Sequence, residues 1–173
     1  MLQGCFWGIQ LAYQRVPGVT STWVGYTQGQ KATPTYEEVC SGVTGHTEAI
    51  HLHYKPSDVS YRDLLEVFLE RTDPTTKNRQ GNDIGTQYRS GIYYHNEDQR
   101  KIVEQTLQQV QQQLDAGTYP RRTAGKKIMV EVAEASDFWI AEEYHQRYLE
   151  KGGRFGVKQS ASKGDSTPIR CYG

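Results

Sequence analysis

Two hydrophobic periods alternate along this chain, and that alternation limits the folds open to it more than any other feature. Apolar side chains recur every second residue in four short segments, which read as strands: 20–26 after the Val16-Pro17-Gly18 turn, 48–54 (Glu-Ala-Ile-His-Leu-His-Tyr), 88–94, and 128–132 (Ile-Met-Val-Glu-Val). Between them the spacing becomes helical. Residues 6–13 predict a first helix. Ser60-Tyr61-Arg62-Asp63 offers a capping box ahead of Leu64, Leu65, Phe68 and Leu69. From about Glu97 to Leu114, Val103, Leu107, Val110 and Leu114 share one face and glutamines the other. A last helix is expected from Phe138 to Leu149, with Tyr144, Tyr148 and Leu149 turned inward. Helices interleaved with strands argue for an α/β or α+β domain with mixed pairing. Two polar stretches interrupt the pattern, 27–47 with a short helix near Tyr36–Cys40, and 72–87; loops of that length in a compact domain commonly carry function.

A chain of 173 residues suits one domain with a sizeable core. Lysine plus arginine equals aspartate plus glutamate at 20 each, which removes the electrostatic argument for nucleic acid or an anionic membrane as partner. No apolar run approaches a transmembrane helix. Three cysteines, Cys5, Cys40 and Cys171, lie far apart without a CxxC pair, a poor disulfide framework and a poor zinc site, but one suited to thiol chemistry in a reducing compartment.

Cys5 has the most suggestive surroundings. Gly4-Cys5-Phe6-Trp7-Gly8 sets a thiol at the expected start of a helix, whose partial positive charge favours the thiolate. Phe6 and Trp7 can build a small apolar pocket beside it, although Phe-Trp on a helix is equally a core element. On the strand at 48–54, Glu48, Ile50, Leu52 and Tyr54 share a face by the two-residue period. That face reads as core, so Glu48 sits at the loop end on the buried side, where desolvation raises a carboxyl pKa and makes a proton donor. The other outcome is escape to solvent at the strand's edge. Tyr88 would begin the next strand on the face of Ile92 and Tyr94, its hydroxyl able to hold a polar oxygen. With twelve tyrosines, periodicity singles out neither Tyr88 nor Tyr36. His51 and His53 alternate onto one strand face, and without an evident third ligand they read as a polar sheet face. Cys40 reads as buried and inert in its loop helix. A cysteine–histidine hydrolase using Cys5 with His46 or His145 is a rival enzyme, and a core plug in a binding module is the non-enzymatic one.

Several segments match one family in order over about the first 157 residues. Gly4-Cys5-Phe6-Trp7-Gly8, Pro34-Thr35-Tyr36-Glu37-Glu38-Val39, Gly45-His46-Thr47-Glu48-Ala49, the long run from Asn78 to Ser90, and Glu143-Tyr144-His145-Gln146 resemble peptide methionine sulfoxide reductase A. The ending Pro168-Ile169-Arg170-Cys171-Tyr172-Gly173 is similar to the plant and green-algal branch. Pattern and resemblance together imply an α+β single domain, a two-layer α/β plait with a ferredoxin-like mixed sheet and flanking helices, catalytic over 1–150, with a mobile tail at 151–173. The resemblance implies reduction of the S epimer of methionine sulfoxide, free or in proteins, by a peptide-methionine (S)-S-oxide reductase that repairs oxidised proteins. Cys5 would be the nucleophile and protonated Glu48 the acid, with Tyr36 and Tyr88 on the sulfoxide oxygen. Phe6 and Trp7 would hold the S-methyl group and Asp83 the substrate's backbone amide. Cys171 on the tail would resolve the Cys5 sulfenic acid as a disulfide. Thioredoxin would supply reducing equivalents; no metal or other cofactor, nucleic acid or membrane is implied, and a monomer in the cytoplasm or plastid is expected. Two departures stand out. Relatives carry a strand and a glycine pair before the nucleophile motif, where only Met1-Leu2-Gln3 stand, so the N-terminus reads as shortened. They also carry a cysteine six residues before the last one, where this chain has Asp165.

Overall fold

The computed structural model describes residues 6–170, and its elements follow the alternation of the sequence. Phe6–Arg15 forms α1; the chain then turns at Gly18, whose φ of 89° only glycine adopts easily and whose Cβ would lie 2.8 Å from Val59. Val19–Thr27 (β1) leads into a long loop holding Tyr36–Cys40 (α2), started by a capping box between Thr35 and Glu38. Thr47–Tyr54 (β2) is followed by Tyr61–Arg71 (α3), where Ser60 and Asp63 form the expected capping box. The second loop carries a small hairpin, Arg79–Gln80 (β3) with Asp83–Ile84 (β4), and a 3-10 turn at Thr86–Tyr88. Gly91–Tyr94 (β5) precedes the long helix Glu97–Ala116 (α4), capped by Asn96 and ended by left-handed Gly117. Glu131–Glu134 (β6), Phe138–Ile140 (β7) and Tyr148–Lys151 (α5) complete the order.

Pairing is mixed, as the alternation requires. β2, β1 and β7 form an antiparallel sheet in that order, and β5 pairs with β6 in parallel. The main core lies where α1, α3 and α4 meet the strands: Ile9, Tyr13, Ile50, Leu64, Phe68, Ile92 and the predicted α4 face of Val103, Leu107, Val110 and Leu114 are all buried. A second, smaller cluster gathers Phe6, Val24, Tyr26, Val39 and Ala141, with Trp7, Tyr36 and Trp139 packed against it. This is a single α+β domain without a closed barrel.

Three expectations are corrected. Residues 138–149 are not one helix: Phe138–Ile140 is a strand, and the chain turns before α5. Phe-Trp-Ile is a β-favouring run, and the free edge of β1 receives it where Gly25 leaves room: a Cβ there would lie 2.2 Å from the Trp139 carbonyl oxygen. Arg147, left-handed at φ 56°, then delays the helix, and Tyr144 is exposed rather than turned inward. The strand expected at 128–132 begins only at Glu131, because the Ile128 and Met129 amides donate instead to Gln111 and to the Pro74 carbonyl. Tyr88 lies in the 3-10 turn rather than at the head of β5, so it does not share a strand face with Ile92 and Tyr94.

The segment after α5 is drawn back onto α1. The Lys163 ammonium donates to the carbonyls of Gln14 (2.7 Å), Val16 (3.0 Å) and Val19 (2.6 Å), at the end of α1 where the helix dipole favours a cation. Buried Arg15 donates to the carbonyls of Ser160 (2.8 Å) and Thr167 (2.6 Å), with Asp165 4.0 Å away. Gln159 brackets Arg170 at both its backbone amide and its carbonyl (2.9 and 2.6 Å).

Candidate active site

The paired strands bring Glu48 and Tyr26 opposite each other at the end of the sheet nearest the start of α1. Glu48 is 2% exposed, so the strand-face argument chose the buried outcome over the solvent edge. The backbone amide of Phe6, one of the first-turn donors that a helix leaves unpaired, donates to Glu48 Oε2 at 3.3 Å. That contact ties the carboxyl to the N-terminal end of α1.

Around it stand aromatic rings. Phe6 is buried, its centroid 6.1 Å from Trp7, 6.2 Å from Tyr26 and 5.3 Å from His145. Trp7 stacks on Tyr148 at 4.1 Å. The capping box at Thr35 fixes α2, which delivers Tyr36 and Cys40 to the same place. Burial and the neighbouring Cys40 thiol push the Tyr36 hydroxyl well above the usual phenol range, and a phenol that keeps its proton can donate it in a hydrogen bond. Burial pushes the Cys40 thiol up as well, although the Tyr36 and Tyr88 hydroxyls hydrogen-bond it. Cys40 is therefore half-buried inside the site rather than packed away from it. Glu48 adds its field to both Tyr36 and Cys40.

Glu142 and His145 brace this cluster from behind. Glu142 Oε1 accepts the Tyr36 amide at 2.9 Å and Oε2 the Tyr26 hydroxyl at 2.7 Å. Burial works against its charge, but these donors prevail and hold its pKa below the usual carboxylate value. His145 is 2% exposed and burial lowers its pKa, so the ring is neutral near pH 7. Its Nδ1 accepts the Trp7 indole N–H at 3.2 Å. Gln146 clamps β1 by accepting from the Val24 amide (3.0 Å) and donating to the Val24 carbonyl (2.9 Å).

Of the residues singled out by sequence, Phe6, Trp7, Tyr36, Glu48 and Tyr88 converge. Asp83 lies exposed on the β3–β4 hairpin, and among the described residues it makes no hydrogen bond or ion pair with that cluster. Cys5 and Cys171 lie outside the described residues. Tyr26 and Glu142 were not read from sequence, whereas His145 reads from sequence as a packing or hydrogen-bonding residue and is one; Glu142 stands one position before the Glu-Tyr-His-Gln segment, and that adjacency was the available signal. His95 approaches His51 with centroids 5.8 Å apart, but among the described residues no three ligating side chains are arranged to hold a metal ion. No helix of the described residues is long and apolar enough to cross a membrane.

A buried carboxyl, phenols that keep their protons, and an aromatic wall at a helix start form a cluster in an α+β domain that can bind a polar oxygen beside an apolar group. Comparison with known proteins gives the same class. The family model for peptide methionine sulfoxide reductase matches residues 1–169, and the chain belongs to that family. It is 54% identical over 170 residues to Peptide methionine sulfoxide reductase A1 of Arabidopsis thaliana, covering 98% of this chain and 79% of that protein. It is 55% identical over 170 residues to the chloroplastic A4 protein of Oryza sativa subsp. japonica, covering 98% of this chain and 61% of the rice one. Methionine sulfoxide reductase A of Corynebacterium diphtheriae superposes with a TM-score of 0.74 at 37% identity, over 87% of this chain and 73% of that chain. The activity is thiol-dependent reduction of methionine sulfoxide.

Proposed function

We propose that the cluster around Glu48 is the reductase centre and that it works on the S epimer. Phe6 and Trp7 form the wall for the S-methyl group, and Tyr36 and Tyr88 donate to the sulfoxide oxygen. Cleaving S–O turns an oxide into a leaving group, so donors and a neutral acid must act where negative charge develops. Glu48 fits the acid: it is almost fully desolvated, and the Phe6 amide fixes its orientation. The Phe6 contact carries the assignment, because it joins the acid to the residue that follows Cys5 in sequence.

The Cys5 sulfur attacks the sulfoxide sulfur. Two electrons pass from the thiol to the sulfoxide, the oxygen transfers, methionine leaves and Cys5 becomes a sulfenic acid. Cys171 then displaces the hydroxyl as water and closes a disulfide, which the dithiol of thioredoxin reopens by exchange. Asp83, on the exposed hairpin, is assigned to the substrate's backbone amide. Free and protein-bound methionine sulfoxide are both assigned as substrates, and a monomer in cytoplasm or plastid is the form we assign, the chloroplastic rice relative favouring the latter.

Separate assays with the two purified epimers test the reading. Turnover of the S epimer with thioredoxin is expected, with Cys5→Ser inactive and a Cys5–Cys171 bridge found by peptide mass mapping. Equal turnover of the R epimer, or an active Cys5→Ser protein, would overturn it.

A further inference from the structure

His145 has no role in the reaction as described, yet it touches both residues assigned to the substrate's methyl group and one of the two tyrosines assigned to its oxygen. Its ring lies 5.3 Å from Phe6, 5.6 Å from Trp7, 4.4 Å from Tyr36 and 4.1 Å from Tyr144 between centroids. Its Nδ1 accepts the Trp7 indole N–H at 3.2 Å, which assigns the neutral tautomer with its proton on Nε2. That Nε2 is buried without a hydrogen-bond partner, and the Glu142 carboxylate lies 3.9 Å away. An imidazole kept neutral by burial at the price of an unsatisfied N–H is a costly choice if the ring only fills space. A phenyl ring would fill the same volume without it.

We infer that His145 is a positioning residue for the methyl pocket, holding the Trp7 indole through Nδ1 so that the pocket admits a methyl group and excludes larger alkyls. Trp7 is half-buried and otherwise rests on Tyr148, a stacked contact that tolerates sliding in the ring plane. The indole N–H bond removes that freedom. His145 also packs on Tyr36, so the wall for the methyl group and a donor for the oxygen share one support. The inference rests on the assignment of Phe6 and Trp7 to the S-methyl group.

The test compares His145→Phe, which keeps an aromatic ring and loses the acceptor, with His145→Asn, whose Oδ1 replaces Nδ1. The probes are methyl and ethyl p-tolyl sulfoxide. His145→Phe is expected to raise KM for the methyl substrate about fivefold, the scale of one neutral hydrogen bond, with kcat within about twofold of the parent. It should also narrow the preference for methyl over ethyl, and His145→Asn should restore both. The indole N–H resonance of Trp7, assigned by its loss in Trp7→Phe, should shift in His145→Phe and return towards the parent position in His145→Asn; this readout needs no turnover. A His145→Phe protein with unchanged KM and alkyl preference overturns the inference, as does a His145→Asn protein impaired to the same extent. If the parent protein reduces neither sulfoxide while the resonance behaves as expected, the bond stands and it is the assignment of the methyl pocket that fails.

Discussion

Glu48 shows how far a single side chain can be read and where reading stops. Its alternation with Ile50 and Leu52 predicted burial, and burial is what the sheet delivers. The amide that orients it comes from Phe6, 42 positions away, and no local pattern contains that contact. If Glu48 is the acid, Glu48→Gln keeps the shape and the acceptor for the Phe6 amide but cannot protonate the oxide. The single-turnover rate of sulfoxide reduction should fall on the order of a hundredfold, with the urea midpoint unchanged. A rate equal to the parent's removes Glu48 from that role. Glu142 is the opposite case. Its carboxylate ties Tyr26 of β1 to the first residue of α2, a function set by two partners more than a hundred positions away and so absent from any window of sequence.

At the scale of elements, strongly periodic segments were legible and short ones were not. α4 announces itself by Val103, Leu107, Val110 and Leu114, and α3 by its cap. β7 did not: three residues of Phe-Trp-Ile carry no period of their own and become a strand only because the edge of β1 at Gly25–Thr27 is open to them. The segment after α5 was equally opaque. Its glycine, serine and lysine suggest an extended tail, but one lysine finds three carbonyls at the end of α1. Lys163→Met keeps the length and removes these bonds. It should release the segment locally, costing about 1–2 kcal/mol, and limited proteolysis should then cut within 156–170 sooner than in the parent while the remaining domain resists. Equal cleavage rates would mean that the Arg15 contacts hold the segment unaided.

Across the whole molecule, four histidines titrate below their ordinary value because burial penalises the charged ring: His46, His51, His95 and His145, with His51 brought down to about 4. The unfolded chain takes up these protons near pH 6.5 and the folded one only at lower pH. Their contribution to stability is therefore complete above about pH 6.5 and declines as pH falls through the folded values. Urea denaturation should show a midpoint that is flat from pH 7 to 8 and drops progressively between pH 6.5 and 4. A midpoint that stays level over that interval would show that these rings are hydrated in solution. Asp165, held down to about 2 mainly by Thr167, adds a later loss as pH falls from about 3.8 towards 2, and this one belongs to the segment on α1.

The sequence by itself determined the class of the fold, the principal helices and strands, the buried side of β2 and the family, because each depends on short-range periodicity or on contiguous motifs. Tertiary structure alone decided that Phe138–Ile140 is a strand, that Cys40 lies among the site tyrosines, that Glu142 joins β1 to α2 and Trp7 is the partner of His145, and that residues 156–170 fold back along α1. Each of these rests on a hydrogen bond or a sheet edge supplied by a distant part of the chain. The energy that settles the local conformation is then not in the local sequence.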